Sequence, residues 1–320
     1  MERTILVSNR LPVTIRQTPD GKQELVRSAG GLVAGLTPVH DNGGIWVGHP
    51  GGEPDTRTLA SLQKQRLVPV AVSAAEHRSY YLGYANSALW PLFHYFPGRC
   101  VFTAQDFAAY QRVNERFAEV VASHAKPNSV IWVHDYQLLL LPGLLRSLLP
   151  KARIGFFLHI PFPTAEIFRM LPQRELVLQG LLGADLIGVH TYEYVQNLVR
   201  GLRRLLGLEA REGVLRFDGR VVRIEAHPLG IDVKGMVAQA FSRSAERKLK
   251  ALKRAVRGRK VLLGVDRLDY TKGLPLKLEA FRTLLATSPE WRDKVTLIQV
   301  AVPTRGGIES YRQQKEDVER

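Results

Sequence analysis

The sequence contains a single cysteine, Cys100, among 320 residues. One thiol excludes an internal disulfide and a zinc site made of several thiolates, and it is typical of a protein from a reducing compartment. No run approaches the roughly 18 consecutive apolar residues that cross a bilayer. The first residues lead directly into a strand-like segment and not into a signal peptide. These absences predict a soluble, cytoplasmic protein without a membrane partner.

Two common phosphate-binding motifs are also missing. The sequence has neither G-x-x-x-x-G-K-[ST] nor G-x-G-x-x-G after a strand-like run. Both motifs place glycine-rich backbone around phosphate groups, so their absence disfavours P-loop kinases and ordinary nicotinamide dehydrogenases. Any phosphate-bearing ligand must therefore be held in another way.

Acidic residues are the minority, since 45 lysines and arginines face 30 aspartates and glutamates and leave a net charge of +15. This excess predicts an anionic partner, such as nucleic acid, acidic lipid or a phosphorylated metabolite. Much of it lies in residues 200–223 and 241–260. Because no aromatic side chains alternate with these bases, as stacking on nucleic acid requires, we interpret them as solvated helix faces and expect no nucleic-acid partner.

Short β-branched runs alternate with longer helical patterns along the first two thirds of the chain. The runs lack period-two alternation, which is typical of strands buried on both faces of a sheet. The predicted strands cover residues 4–8, 45–48, 67–72, 130–133, 154–158 and 186–189, and the predicted helices 106–124, 137–149, 173–182 and 192–206. The order of strand, helix and strand predicts a doubly wound parallel sheet.

A hairpin and a second domain follow. Asp218-Gly219 between two short strands predicts a hairpin over 214–223 at the domain edge. We expect a first domain over 1–240, a basic helical connector over 241–257 and a second domain over 258–320, with strands 260–265 and 294–300, a helix over 275–286 between them and a last helix over 308–320. Two strands are too few to bury both faces of an open sheet, so the second domain is expected to be incomplete.

Polar residues follow two predicted strands of the first domain directly. His134 and Asp135 come after strand 130–133, and His159 comes after strand 154–158. Ligands bind at the carboxyl ends of parallel strands, so Asp135 and His159 are candidate site residues. Each residue alone is equally compatible with a structural role.

Two further segments have weaker signals. Gly30 and Gly31 precede a helical pattern, where a phosphate or sugar can approach backbone N–H groups, although a glycine pair is more often only a turn. The segment 80–91 concentrates aromatic side chains, including Tyr81 and Trp90, and is compatible both with core packing and with stacking on a sugar ring.

Two basic residues follow the first strand of the second domain. Arg267 and Lys272 are separated by a loop that Gly273 allows to turn, an arrangement suited to clamping a diphosphate. The alternative is a surface ion pair between Arg267 and Asp266 or Asp269, which would contribute little stability. Arg305 follows the next predicted strand.

Taken in order, these segments resemble the trehalose-6-phosphate synthase family, retaining glucosyltransferases of the GT-B fold with two Rossmann-like α/β domains. The resemblance covers the whole chain. The matching segments are S-N-R at 8–10, S-A-G-G-L at 28–32, the Y-Y to L-W-P stretch at 80–91, H-D-Y at 134–136, H-I-P-F-P at 159–163, G-A-D-L-I-G at 183–188 and V-D-R-L-D-Y-T-K-G at 265–273.

The resemblance implies transfer of glucose from UDP-glucose to glucose 6-phosphate in trehalose biosynthesis, without a metal or other cofactor. It implies that the acceptor phosphate is held by Arg10, Tyr81 and Arg305, that the acceptor sugar is lined or oriented by Trp46, Trp90 and Asp135, and that the donor meets Gly30, Gly31, His159, Arg267 and Lys272. Of these, His159, Asp135, Arg267 and Lys272 are the expected catalytic group. The absence of an Asp-x-Asp pair agrees with catalysis without a metal.

Two departures from the family pattern leave alternatives open. Gln137 replaces the histidine that usually follows H-D-Y, and the chain ends before the family's D-G-M-N-L-V-x-K-E segment. An inactive fragment, a sugar-phosphate-binding regulatory homologue and a related synthase with another acceptor therefore stay possible. The preference for UDP, GDP or ADP and assembly as a homo-oligomer are also left open.

Overall fold

A computed structural model describes residues 4–28 and 30–302. Internal contacts divide the chain into two compact units, Met1–Ile231 and Asp232–Arg320. The division lies before the predicted boundary at residue 240, and the basic segment over 241–257 falls within the second unit. The predicted helix over 308–320 and Arg305 lie outside the described residues.

The first unit is built on an eight-stranded sheet with the order β5-β4-β1-β6-β7-β8-β10-β9. All neighbouring strands are parallel except β10 and β9, while β2 and β3 form a separate antiparallel pair. In chain order the strands are β1 (Thr4–Arg10), β2 (Val13–Gln17), β3 (Gln23–Arg27), β4 (Ile45–His49), β5 (Leu67–Pro69), β6 (Val130–His134), β7 (Arg153–Phe157), β8 (Leu186–Val189), β9 (Val214–Phe217) and β10 (Arg220–Ala226).

Helices connect these strands. They are α1 (Gly31–Asp41), α2 (Thr56–Lys64), α3 (Ala74–Glu76), α4 (Trp90–Phe93), α5 (Ala104–His124), α6 (Leu141–Leu148), α7 (Ala165–Phe168), α8 (Arg174–Leu181) and α9 (Tyr192–Leu206). A π-helix covers His77–Leu89, and 3-10 turns cover Pro97–Arg99 and Tyr136–Leu138. Among the described residues, no helix combines the length and the apolar character needed to cross a bilayer.

The second unit contains two parallel strands, β11 (Lys260–Arg267) and β12 (Val295–Val302). Its helices are α10 (Val233–Ala240), α11 (Arg243–Val256) and α12 (Leu274–Thr287), with 3-10 turns over Tyr270–Lys272 and Pro289–Trp291. Apolar side chains of β11 are exposed, with Leu263 at 68% and Val265 at 66%. The basic residues of α11 are also exposed to solvent, in agreement with the interpretation of a solvated helix face.

The sheet of the first unit explains the absence of period-two alternation in its strands. Ile5, Leu6 and Val7 of β1 are all fully buried, because helices cover both faces of the sheet. The predicted helix over 192–206 is confirmed residue for residue as α9, which begins after the capping side chain of Thr191 and ends at Gly207 in the left-handed conformation.

The strand order reverses at β1. From β1 the chain continues to β4 and β5 on one side, and then crosses to β6 on the other side of β1. In open α/β sheets ligands bind in the crevice outside the carboxyl ends of the strands at such a switch point. Val7 of β1 pairs with Val133 of β6, and Arg10 and Asp135 follow these residues. The topology therefore places Arg10 and Asp135 on the two sides of the switch point.

A hairpin and a π-helix are among the elements of the first unit that were not predicted. The strands β2 and β3 form the hairpin, and their five-residue connection contains Pro19-Asp20-Gly21, a turn signal that the sequence analysis overlooked. The π-helix is stabilised by side chains that reach back five residues, since Asn86 donates to the carbonyl of Tyr81 at 2.7 Å and Ser87 donates to that of Leu82 at 2.8 Å. Periodicity of 3.6 residues does not detect such a segment.

Two predicted elements are shorter than expected. The strand over 67–72 ends at Pro69, which has no N–H group to continue the ladder. The helix over 137–149 is divided into the 3-10 turn Tyr136–Leu138 and α6. The hairpin over 214–223 is confirmed at the edge of the sheet.

Glycines let α6 and α8 approach backbone to backbone. A Cβ atom at Gly180 of α8 would lie 2.7 Å from the carbonyl oxygen of Leu139 and 2.8 Å from the Cα atom of Leu140. A Cβ atom at Gly143 of α6 would lie 3.1 Å from the Cα atom of Gly180. This packing fixes the position of α6 and of the loop before it, which connects α6 to the carboxyl end of β6.

We predict that Gly180→Ala lowers the free energy of unfolding by about 1–3 kcal/mol, because the new methyl group would meet backbone atoms that cannot rotate away. Urea unfolding followed by circular dichroism measures the change. The matched control is Gly201→Ala in α9, where the nearest atom would be a ring carbon of Phe162 at 3.7 Å. The control should be neutral or stabilising by up to about 1 kcal/mol. Equal destabilisation by both substitutions would contradict the close-packing argument.

Candidate functional site

A buried hydrogen-bond network holds the loop that follows β6. The hydroxyl of Tyr110 donates to the carbonyl of Tyr136 at 2.8 Å and accepts from the N–H of Leu139 at 2.9 Å. The side-chain amide of Asn114 donates to the carbonyl of Gln137 at 3.1 Å. The backbone groups of this loop are therefore satisfied by side chains of α5. The replacement of histidine by Gln137 leaves the network intact, because only the main chain of residue 137 takes part in these bonds.

Tyr80 of the π-helix connects this loop to β1. Its hydroxyl lies 3.1 Å from Oδ1 of Asn9 and 3.2 Å from the carbonyl oxygen of Gln137, so its one proton is shared between two acceptors. Burial holds the pKa of Tyr80 and that of Tyr110 well above the ordinary value of 10.0. Both hydroxyls therefore stay protonated, and the carboxyl ends of β1 and β6 are joined through neutral groups.

Asp135 has a strained backbone. Its φ of 77° and ψ of 169° lie in a region that glycine alone adopts readily. Its N–H donates to the carbonyl of Phe157 at 2.8 Å, and its Oδ1 accepts from the N–H of His159 at 3.2 Å. Such a conformation costs on the order of 1–3 kcal/mol and persists only where surrounding structure imposes it. The structure therefore brings Asp135 and His159 together, as the sequence predicted for neighbouring strand ends.

Three histidines lie at the carboxyl ends of three successive strands, and we call His134, His159 and His190 the histidine row. Nδ1 of His134 lies 3.1 Å from Nε2 of His159, and the ring centroids of His159 and His190 are 6.0 Å apart. His190 was missed by the sequence analysis, although it follows β8 directly and the rule that identified His159 applies to it equally. In the described part of the chain, no group of three or more His, Cys, Asp or Glu side chains is arranged to hold a metal ion.

His134 and His159 are neutral near pH 7. Burial, and to a smaller extent the charge of His190, lowers the pKa of His159 from 6.5 to about 4. Burial also holds the pKa of His134 well below 6.5, and the charge of His159 acts in the same direction. Each imidazole therefore has one N–H donor and one bare nitrogen acceptor.

A second group of side chains lies at the other side of the switch point, and we call Arg10, His49, His77 and Tyr81 the Arg10 cluster. The rings of His77 and Tyr81 stack with centroids 5.0 Å apart, and those of His49 and His77 are 6.4 Å apart. Arg10, His49 and His77 line a cavity of about 1130 Å³ in the first unit. The cluster provides a guanidinium, two imidazoles and a phenol, which are all potential hydrogen-bond donors to a phosphate.

The electrostatics of the Arg10 cluster favour an anion. Burial lowers the pKa of Arg10, and its interaction with Tyr81 partly opposes this effect. The pKa of His49 is lowered from 6.5 to about 4, mainly by burial and also by the charge of Arg10, while a bond to the Val70 carbonyl partly opposes this. His77 also has a lowered pKa because of burial and the charge of Arg10. At neutral pH the charge of Arg10 is therefore accompanied by neutral imidazoles at His49 and His77.

Two neighbouring features fix the shape of this cavity. At Gly51, which has a φ of 89°, a Cβ atom would lie 2.8 Å from Nη2 of Arg10, so only glycine leaves room for the guanidinium. Arg116 and Glu76 form two parallel hydrogen bonds at 2.8 and 2.9 Å. Glu76 also bonds the N–H of Ser73 in a capping box at the start of the segment that carries Tyr81. The hydrogen bond from Arg116 lowers the pKa of Glu76 to about 2.

The expectation that Trp46 lines an acceptor site is corrected by the structure. The side chain of Trp46 is fully buried in the core, and its Nε1–H donates to Oγ of Ser8 at 2.8 Å. The residue of β4 that lines the cavity with Arg10 is His49, at the carboxyl end of the strand. The expectation came from the family resemblance, whereas burial on both faces of the sheet places Trp46 inside.

The other predicted residues of the first unit have different environments. Trp90 is only 4% exposed, and its ring packs against those of His94 and Tyr136 with centroids 4.0 and 5.5 Å apart. Trp90 therefore packs against Tyr136 in the loop after β6. Gly30 and Gly31 begin α1, and a Cβ atom at either position would meet no heavy atom of the described residues within 4 Å.

In the second unit, Arg267 and Lys272 belong to one loop after β11. The carboxylate of Asp269 is fully buried and accepts from the N–H of Thr271 at 3.1 Å, which forms the 3-10 turn that ends with Lys272. Nη2 of Arg267 lies 3.8 Å from Oδ2 of Asp269, so the ion pair considered in the sequence analysis is present, although the Arg267 side chain is 48% exposed. Gly273 adopts the predicted turn conformation, with a φ of 62°.

Comparison with known proteins identifies relatives of this chain. The family model of glycosyltransferase family 20 matches residues 2–320. An α,α-trehalose-phosphate synthase (UDP-forming) A from Dictyostelium discoideum is 44% identical over 322 residues, which cover 99% of this chain and 44% of the relative. The chain thus spans less than half the length of that relative.

Solved structures are also similar. An α,α-trehalose-phosphate synthase (UDP-forming) from Burkholderia xenovorans in complex with glucose 6-phosphate superimposes with a TM-score of 0.86 and 30% identity, covering 99% of this chain and 69% of that one. The N-terminal domain of trehalose-6-phosphate phosphatase from Candida albicans gives 0.87 and 32%, covering 99% and 68%. The predicted α/β fold class of GT-B type is confirmed by these similarities.

We predict that the protein loses stability as the pH falls from about 6.5 to about 4, because His49, His134 and His159 have folded-state pKa values below the 6.5 of an unfolded histidine. The unfolded chain binds more protons than the folded protein in this window, so the stability is complete above it and is lost on acidification. Urea midpoints between about pH 7 and pH 4 measure the effect. His49→Gln should reduce the slope, and His124→Gln at the exposed end of α5 should not. A flat profile would contradict the burial argument.

Proposed function

The chain belongs to glycosyltransferase family 20, and from this premise we propose that it transfers glucose, with retention, from UDP-glucose to glucose 6-phosphate. The products are α,α-trehalose 6-phosphate and UDP. The names of the Dictyostelium relative and of the Burkholderia structure with its glucose 6-phosphate support this proposal. The observation that carries it is the Arg10 cluster beside Asp135 and the histidine row at one switch point of a parallel sheet.

The Arg10 cluster is assigned to the phosphate of the acceptor. A guanidinium binds phosphate oxygens through strong charge-assisted hydrogen bonds, and partial burial of Arg10 strengthens the attraction. Tyr81 contributes a phenol, and its stacking on His77 limits its motion. Asp135 is assigned to a hydroxyl of the acceptor sugar, because a carboxylate is an acceptor for sugar hydroxyls and repels phosphate. Arg305 is proposed as a further phosphate ligand from the family resemblance alone.

Arg267 and Lys272 are assigned to the diphosphate of the donor. One forked and one point-like cation in a single loop suit two adjacent phosphates. Arg267 is half-exposed, so its side chain is accessible to a diphosphate while its Nη2 lies 3.8 Å from Oδ2 of the buried Asp269. Two cations stabilise the charge of the leaving UDP, which is the role that a divalent metal has in other transferases. No cofactor is part of the proposed reaction.

The proposed reaction proceeds on one face of the transferred sugar. The bond from the anomeric carbon to the phosphate oxygen breaks while the bond to the acceptor hydroxyl oxygen forms, and the phosphate oxygen accepts the hydroxyl proton. The anomeric configuration is thereby retained without a protein nucleophile. Positioning and charge stabilisation are then the main contributions of the protein. His159 is assigned to a position beside the transferred glucose.

A second candidate function is binding of a sugar phosphate without catalysis. The similarity to the N-terminal domain of a trehalose-6-phosphate phosphatase favours it, because that domain has the same fold although its protein is named for a different activity. Calorimetry with each substrate separately distinguishes the two functions. Binding of glucose 6-phosphate without binding of UDP-glucose would favour the sensor or inactive form. Binding of another phosphorylated acceptor in preference to glucose 6-phosphate would favour a related synthase.

We predict that Arg10→Gln weakens binding of glucose 6-phosphate by about tenfold to a hundredfold, the loss expected for a charge-assisted hydrogen bond of about 1.5–3 kcal/mol. Isothermal calorimetry on the whole chain measures the dissociation constant. The control is Arg16→Gln, which removes an exposed arginine of β2. Binding of glucose without a phosphate should not depend on Arg10. An unchanged affinity of Arg10→Gln for glucose 6-phosphate would exclude Arg10 as the phosphate ligand.

We also predict that Arg267→Ala abolishes UDP formation in the enzyme that carries this chain, because half of the positive charge on the leaving diphosphate is removed. The release of UDP from UDP-glucose in the presence of glucose 6-phosphate is the measurement. Arg282→Ala is the control, since Arg282 of α12 is 76% exposed and pairs only locally with Glu279. Near-normal turnover of the Arg267 variant would count against the diphosphate clamp.

A further inference from the structure

The buried member of the histidine row has an unusual hydrogen-bond pattern. The ring of His134 is fully buried, and its Nε2 has no hydrogen-bond partner among the described residues. Its Nδ1 lies 3.1 Å from Nε2 of His159. The ring of Trp132 packs against His134 with centroids 4.6 Å apart. One side of the His134 ring is therefore bonded, and the other faces protein without a polar partner.

Two proton arrangements are compatible with this geometry. Both imidazoles are neutral near pH 7, so one proton lies between Nδ1 of His134 and Nε2 of His159. If His134 donates it, its buried Nε2 has a bare lone pair, and the proton of His159 lies on Nδ1. If His159 donates it, the second proton of the pair lies on the buried Nε2 of His134, and Nδ1 of His159 is bare.

The cost of the unpaired buried atom distinguishes these arrangements. A buried N–H without an acceptor is rare in proteins, whereas an under-used acceptor is tolerated more often. We infer that His134 donates from Nδ1 and is a positioning residue, which holds His159 in the tautomer that carries its proton on Nδ1. His134 thereby determines whether Nδ1 of His159 offers a ligand an N–H donor or a bare nitrogen acceptor.

The consequence concerns the ligand side of His159. The His159 residue is partly exposed to solvent, and its Nδ1 is not among the buried polar atoms that lack a partner. In the tautomer that we infer, this atom is an N–H donor and not a bare lone pair. Sugar hydroxyl and phosphate oxygens accept hydrogen bonds, and a bare nitrogen would repel an anionic oxygen. This step rests on the proposed function, whereas the tautomer itself does not.

The neighbouring polar groups do not offer His159 another way to fix its tautomer. Asp135 bonds the backbone N–H of His159 through Oδ1 at 3.2 Å. The ring of His190 lies 6.0 Å away between centroids and lowers the pKa of His159 through its charge. Among the residues that the structure describes, the His159 ring has its side-chain hydrogen bond with His134. Removal of the His134 donor should therefore release the tautomer, and removal of His190 should not.

The tautomer is measured by ¹⁵N NMR of the whole chain labelled at its nine histidines. Protonated and bare ring nitrogens have well-separated shifts, and His159→Gln identifies the signals of His159 by their loss. We expect a single neutral tautomer with the proton on Nδ1, unchanged from about pH 8 down to about pH 5.5, since the pKa is about 4. A proton on Nε2 of His159, or a mixture of tautomers, in the unsubstituted protein would overturn the inference.

Three variants test the mechanism of this preference. His134→Leu removes the donor and should convert the His159 signals into those of a tautomer mixture. His134→Asn keeps an amide N–H near the place of Nδ1 and should restore the single tautomer. His190→Asn is the matched control, which should leave the tautomer unchanged while raising the pKa of His159. An unchanged tautomer in His134→Leu would refute the positioning role, and a variant that fails to fold leaves the measurement on the unsubstituted protein decisive.

The result is independent of the proposed reaction. The NMR measurement uses no substrate, so a protein that binds neither glucose 6-phosphate nor UDP-glucose would still report the tautomer. If the tautomer is confirmed and UDP formation is observed, His134→Leu should lower kcat more than His134→Asn does. Equal losses of kcat in these two variants would overturn the contribution of the donor to the reaction, although not the tautomer assignment.

Discussion

The hydroxyl of Tyr110 makes the hydrogen bonds on which the site depends. After β6 the chain leaves regular structure while still inside the protein, and Tyr110 both accepts from the N–H of Leu139 and donates to the carbonyl of Tyr136. Without such partners each buried backbone group would cost about 1–3 kcal/mol. Because α5 supplies the partners, the chain can turn sharply at Asp135 and hold the histidine row and the Arg10 cluster at one edge of the sheet.

Neutral groups surround the few charges of this region. Tyr80 and Tyr110 have raised pKa values, and His49, His134 and His159 have lowered ones, in every case with burial as the largest cause. Arg10 is thus not repelled by an imidazolium at His49. The cavity is also lined by Arg78 and by the paired Arg116 and Glu76, so a phosphate there would meet a positive charge beside neutral hydrogen-bond donors.

Strand positions and strand-end residues could be predicted from the sequence, because strands buried on both faces are short apolar runs and polar residues follow them directly. This reasoning found Asp135 and His159. It missed His49, whose role depends on Arg10 and Tyr81 lying nearby. The expectation for Trp46 came from the family resemblance alone, and the sheet buries that side chain. The π-helix stayed hidden because bonds from Asn86 and Ser87 to carbonyls five residues back create no hydrophobic periodicity.

The backbone conformation of Asp135 affects which residues can replace it during evolution. Glycine adopts a φ of 77° and a ψ of 169° with less strain than aspartate does. A descendant of this chain that no longer needed the carboxylate could therefore relieve the backbone strain by exchanging it for glycine, and selection for stability would favour that exchange. Retention of an acidic side chain at this position is thus a sensitive indicator, among divergent copies of the gene, of which copies still experience selection on the site.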